Sequence, residues 1–170
     1  MRGRSPAALI AIGTLAVAAA VRADAIDDGD AELAALEESV FGAVNAYRRR
    51  EGLAPFAFYA AAAAAARGHS RAMAAGRVGF GHDGFRERAE AIGKRVALAS
   101  MAENVSRHRR RAIEEIPEAA LRRWIASGAH RRNLRGDRGR SGVGAARAAD
   151  GEIFLTQIFV EIRGDASARP

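Results

Sequence analysis

Seven consecutive alanines, Ala60 to Ala66, constrain what this chain can fold into more than any other feature of it. Alanine is the strongest helix former, so the run predicts a helix from about Ala57 to Ala75, ended by Gly76. That helix carries few bulky side chains. Some other element must therefore pack closely against it. The chain's 170 residues suit one domain, large enough to bury a core without covalent staples. Cysteine is absent, which excludes disulfide frameworks, thiolate metal sites and cysteine nucleophiles.

The formal charge is +7, and of 27 basic residues only Lys94 is a lysine. The arginines are scattered and few aromatic residues interleave with them, so no nucleic-acid surface is expected.

Residues 1–25 read as a secretory signal peptide. Arg2 and Arg4 form a positive start, Ala7 to Val21 is uncharged and mostly apolar, and Ala23-Asp24-Ala25 supplies small residues around a cleavage point. As a helix, that apolar stretch spans only about 22 Å, against the roughly 30 Å of a hydrocarbon core. A cleaved signal is therefore favoured over a permanent anchor, and a lipoprotein anchor lacks its cysteine. Cleavage would remove three arginines and one aspartate, lowering the formal charge to +5. No later segment is long and apolar enough to span a membrane. The expectation is a protein exported to the periplasm or beyond the cell.

The remainder divides into a helical front and a strand-forming back. Residues 26–36 form an acidic leader and the start of a helix. Leu33, Leu36, Val40, Phe41, Val44 and Tyr47 then place one apolar stripe at helical spacing, which stops near Glu51 before Gly52 and Pro55. Asp83 is the expected N-cap of a short helix over 85–92, residues 96–106 an extended segment, and Pro117 the first turn of a helix reaching Ser127. Residues 142–148 and 152–162 read as two strands joined at Asp150-Gly151, a strong hairpin dipeptide. Helices followed by an antiparallel hairpin predict an α+β fold, with a sheet covered by helices. Residues 163–170 form a frayed tail.

Few polar residues invite a chemical role. His69 reads as a helix-surface residue and His108 as part of the basic run 107–111. His82 is different, because the glycine-rich turn 79–84 can aim it into a cleft. His130 follows Gly128, again on an expected turn. Glu103 stands among apolar residues, and a carboxylate held there needs a partner, for which an imidazole is suited. Two imidazoles and one carboxylate can bind a divalent metal such as zinc, or act as acid and base. The common hydrolase and nucleotide-binding motifs are absent.

Seven segments taken in order add a further signal. They are Val44-Asn45-Ala46-Tyr47-Arg48 with Gly52-Leu53-Ala54-Pro55, then His69-Ser70-Arg71-Ala72-Met73. Gly81-His82-Asp83-Gly84-Phe85 with Arg88 and Ala102-Glu103-Asn104-Val105 come next, followed by the stretch from Trp124 to Leu134. Gly142-Val143-Gly144 and the stretch from Phe154 to Phe159 complete the series. Together they resemble the bacterial branch of the CAP superfamily, the SCP-domain proteins, over residues 37–162.

The resemblance implies an α–β–α sandwich with a central antiparallel sheet and an open cleft. It also implies a divalent-metal site, for which the matching positions are His82, Glu103 and His130. A second glutamate of the eukaryotic members is replaced here by Ser127, and their late histidine by Phe154 and Leu155, so a reduced site is implied. Asn104 is expected to fix the turn carrying Glu103, Trp124 to be core, and Asn133 to cap a helix end. Two functions follow from the likeness. The favoured one is a secreted module that binds a small apolar ligand, a lipid or a cell-envelope component. The alternative is a peptidase-like hydrolase in which His82, Glu103 and His130 activate water, directly or through a metal.

Overall fold

The computed structural model describes the backbone of residues 13–164 and the side chains from residue 29 onward. The first twelve residues of the expected signal peptide, and residues 165–170 of the expected tail, lie outside the described residues. Two units are distinguished, one up to Leu33 and one from Ala34 on. The second holds every strand.

Helix α1 (Gly13–Arg50) begins well before the expected start at Ala31. Residues 26–30 contain no proline, so nothing in the acidic leader interrupts the i→i−4 ladder. After Pro55 comes a two-residue strand, β1 (Ala57–Phe58), and then α2 (Ala60–Ala74). The strand takes the positions where the helix was expected to begin. Its backbone is claimed by the sheet, through Ala57 N–H to the Gly139 carbonyl and Tyr59 N–H to the Ser141 carbonyl. Gly76 closes α2 at a φ of +66°, as its position implied.

Helix α3 (Phe85–Gly93) is preceded by Gly84 in the left-handed region, not by a capping Asp83 side chain. Arg88 Nη1 instead donates to the Asp83 carbonyl at 2.7 Å. Strand β2 (Leu98–His108) is the expected extended segment. Helix α4 (Ile116–Ala126) carries Pro117 in its first turn, and a separate helix α5 (Gly128–Arg135) follows. Strands β3 (Arg140–Arg147) and β4 (Ile153–Ile162) form the expected hairpin. At its turn, Gly151 adopts φ +83° and Glu152 N–H donates to Asp150 Oδ1.

The sheet order is β1-β3-β4-β2, antiparallel except for the short β1, which runs parallel to β3. Alternation assigns its two faces. Glu103 and Val105 of β2, Ile158 and Thr156 of β4, and Gly142 and Gly144 of β3 share one face, covered by α2 and α3. Asn104, Gln157 and Val143 lie on the other face, with α4 and α5 packed against β2. Asn45 and Arg48 of α1 bond to Phe56 and Leu134, bringing the end of that helix to the same region. The arrangement is the expected helix–sheet–helix sandwich.

The alanine run meets its close partner in β3. A side chain at Gly142 would fall inside the backbone of Ala63, and one at Gly144 inside that of Ala66 and Arg67. Helix and sheet thus approach backbone to backbone, with Ala62 and Ala66 fully buried against Ile158 and Val160.

Candidate functional site

Strand β2 is an outer strand, so its main-chain carbonyls at 103, 105 and 107 face away from the sheet. Three side chains cover them in series. Asn133 Nδ2 donates to the Glu103 carbonyl, Trp124 Nε1 to Val105 and Arg123 Nη1 to Arg107. Helices α4 and α5 therefore seal a strand edge that would otherwise be open to pairing. This places His130 of α5 across the edge from the turn that carries His82.

Glu103 projects from β2 toward α2 and α3, its side chain only 1% exposed. His82 Nδ1 lies 2.9 Å from Oε1. Arg88 Nη2 donates to Oε1 at 2.9 Å, and Arg88 Nε donates to Oε2 at 3.0 Å. This two-pronged pairing answers the cost of burying a carboxylate. Behind it, Arg88 Nη1 donates to His69 Nδ1 at 3.1 Å, and His69 Nε2 stands 2.8 Å from the Gly81 carbonyl. Because a guanidinium only donates, Nδ1 of His69 accepts and Nε2 carries the proton given to Gly81. His69 thus holds the turn that aims His82.

The three expected residues meet at this edge. His82 bonds to Glu103, and the His82 and His130 rings lie 6.1 Å apart, centre to centre. Burial, helped by the nearby His82, lowers the His130 imidazole below the usual histidine range. Several details differ from expectation. His130 sits on a helix, not a turn, because only Ser127 separates the end of α4 from the start of α5. Asn104 lies within a strand, where its side chain joins His130 and Asn133 instead of fixing a turn. Asn133 caps no helix; it seals the β2 edge. Trp124 is core as expected, 1% exposed, and makes a bond as well.

Two readings of the histidines are overturned. His69 is buried, not a surface residue, and it holds Arg88. His108 ends a strand instead of lying in a solvated loop; it is buried against the Ser106 hydroxyl at 3.0 Å. The role of Arg88 was the residue-level reading missed. The signal for it was the isolated carboxylate at 103, for which a guanidinium is a better buried partner than an imidazole.

The donor set tests the metal reading. Both oxygens of Glu103 are engaged, and a fixed positive charge lies against them, so a cation at Glu103 would be repelled. Among the described residues, no three His, Asp or Glu side chains converge as metal ligands. The two imidazoles fare better. Nδ1 of His82 is committed to Glu103, which leaves Nε2 for a ligand and makes Glu103 an outer partner of the kind that orients metal-binding histidines. Two imidazoles sharing one tetrahedral zinc have ring centres about 5 Å apart, so at 6.1 Å these rings would have to draw together to hold a common metal.

A concavity lies at the opposite edge of the sheet, beside β1 and β3. It encloses about 400 Å³ and is lined by Ala34, Glu37, Glu38 and Phe41 of α1, Phe58 of β1, Arg67 of α2 and Val143 of β3. Phe41 and Phe58 meet edge to face at 5.9 Å, and Phe58 is 58% exposed. Arg67 pairs with Glu37, whose Oε1 also accepts the Ala145 N–H of β3. Nothing in the sequence pattern signalled this cleft, because its walls come from four separate elements.

The model of the family described as CAP, the cysteine-rich secretory protein family, matches residues 41–159. No curated protein matches the chain. Among solved structures, an outer surface protein of Borrelia burgdorferi is similar at a TM-score of 0.60 and 12% identity, over 72% of this chain and 90% of that one. An extracellular protein of Bacillus anthracis containing an SCP domain gives 0.59 and 26%, over 75% of this chain and 40% of that one. A cysteine-rich secretory protein of Staphylococcus aureus gives 0.58 and 19%, over 74% and 38%. The chain therefore corresponds to less than half the length of the last two proteins.

Proposed function

We propose that this chain, which belongs to the CAP family of cysteine-rich secretory proteins, is an exported binding module for a small apolar ligand, such as a lipid or cell-envelope component. The observation that carries this reading is the open cleft of about 400 Å³ with Phe41, Phe58, Ala34 and Val143 on its walls. That volume suits a small organic ligand, and an exposed aromatic ring beside a formed cleft gains most by being covered. Export rests on the signal-like residues 1–25, and it accords with similar proteins described as extracellular, secretory or outer-surface. No nucleic-acid partner is proposed.

A hydrolase is the second reading, favoured by one observation: Glu103 orients His82 through Nδ1 and leaves Nε2 outward. Zinc bound by His82 and His130 would supply a polarised water there. Against it, the Glu103 oxygens are occupied by Arg88 and His82 and so do not serve as a base.

Displacement of a polarity-sensitive apolar dye, with native mass spectrometry of the purified protein, tests the main reading. Decanol is expected to displace the dye, and Phe58→Ala to weaken it about tenfold, as for losing one well-covered aromatic contact. Absence of any apolar binding would overturn it. Turnover of an ester or peptide library that disappears in Glu103→Gln would establish the hydrolase instead.

A further inference from the structure

The polar groups of the β1–β3 cleft go beyond an apolar ligand and discriminate among its possible head groups. Three charged side chains line it: Glu37, Glu38 and Arg67. Glu37 and Arg67 cancel. Arg67 spends Nε and Nη2 on the Glu37 carboxylate, which is itself tied to the Ala145 amide. Glu38 is exposed, and among the described residues it has no hydrogen-bonded or ion-paired partner. The cleft therefore carries one uncompensated negative charge. Next to it stand two aromatic rings at 89° to each other, so one offers its face where the other offers its edge.

We infer that the cleft takes an organic ammonium ion: a small molecule with an apolar body and a primary or quaternary amine at one end. A carboxylate beside aromatic faces attracts such a cation twice, by charge and through the ring quadrupoles. The ammonium end lies by Glu38 and Phe58, and the apolar body lies along Ala34, Phe41 and Val143. An anionic amphiphile such as a fatty acid meets Glu38 with like charge, and the Arg67 guanidinium that could answer it is already paired. The inference rests on the proposed apolar-ligand function and adds the sign of the head group.

The test compares three ligands sharing one alkyl chain: decyltrimethylammonium, decanol and decanoate. Each is titrated below its micelle concentration against the full chain and two variants, Glu38→Gln and Phe58→Ala. Both positions are exposed, and unchanged circular dichroism and unfolding temperature confirm the fold of each variant. The expected order is ammonium, then alcohol, then carboxylate, with about tenfold between the first and last. Glu38→Gln should collapse that ratio while leaving decanol binding intact, and Phe58→Ala should weaken all three. Equal binding of ammonium and carboxylate, or a ratio untouched by Glu38→Gln, overturns the head-group inference and leaves the apolar-ligand reading standing. Failure of all three to bind overturns both.

Discussion

Arg88 grips both oxygens of Glu103, from Nη2 at 2.9 Å and Nε at 3.0 Å, inside a pocket where the carboxylate is 1% exposed. Its charge is answered from α3, and Oε1 also meets Nδ1 of His82 at 2.9 Å, so the carboxylate links a buried guanidinium to a half-exposed imidazole.

Breaking that pair should be costly. Arg88→Met leaves a buried carboxylate without its counter-charge, with an expected loss of about 3 kcal/mol or more. The double variant Arg88→Met/Glu103→Met should recover much of it, because neither charge is then stranded. Denaturant unfolding of the single and double variants measures both. A single variant as stable as the native chain would show that the pairing contributes nothing.

The imidazole pair makes a different prediction. In calorimetric titration of metal-free protein, any zinc bound at His82 and His130 should be lost in the His82→Ala/His130→Ala variant. Glu103→Gln should retain the site but weaken it roughly 10- to 100-fold, as outer partners of metal-binding histidines do. Complete loss in Glu103→Gln, with the fold intact, would mean that Glu103 is a direct ligand after all.

Two glycines in similar company should respond with opposite signs. Gly142→Ala drives a methyl group into the backbone of Ala63, an overlap that neither element can relieve, so a loss of about 3 kcal/mol is expected. Gly68→Ala, in α2 with nothing within 4 Å of the added carbon, should stabilise by about 0.5–1 kcal/mol through helix propensity. Thermal or denaturant midpoints of the two variants give the comparison.

His108 sets a pH dependence. Burial first, then the charges of Arg123 and Arg111, push its imidazole down to about 4. In the unfolded chain it titrates near its ordinary value of about 6.5. Between these values the unfolded chain holds a proton that the native protein refuses, so stability rises with pH and is complete above roughly pH 6.5. From pH 7 down to pH 5 the loss from this group should be about 2 kcal/mol. His108→Gln should flatten that slope in stability measured across the same range.

Much of the framework could be read locally. The alanine run announced a smooth helix needing a close neighbour, and Asp150-Gly151 announced the hairpin whose first strand carries that neighbour. Both signals involve residues adjacent in the chain, where backbone propensity and turn chemistry act directly. His82 and Glu103 were also singled out as candidates, because a turn histidine and a lone carboxylate among apolar residues are unusual enough to mark themselves, and the structure does bond them to each other. The short β1 was not legible. Two residues of strand have no periodicity, and only hydrogen bonds to Gly139 and Ser141 hold them extended.

What the sequence by itself determined was most of the helices and strands, the need for a close neighbour to the alanine helix, and the candidates His82, Glu103 and His130. Only the tertiary structure decided how those candidates are held. Arg88 lies 15 residues from Glu103, and His69 lies 19 from Arg88, so no local pattern links them. The sheet order likewise set the imidazole pair at the β2 edge and the aromatic cleft at the β1–β3 edge. Hydrogen-bond geometry and charge balance act through space, and they become definite once packing has brought distant segments within about 3 Å of each other.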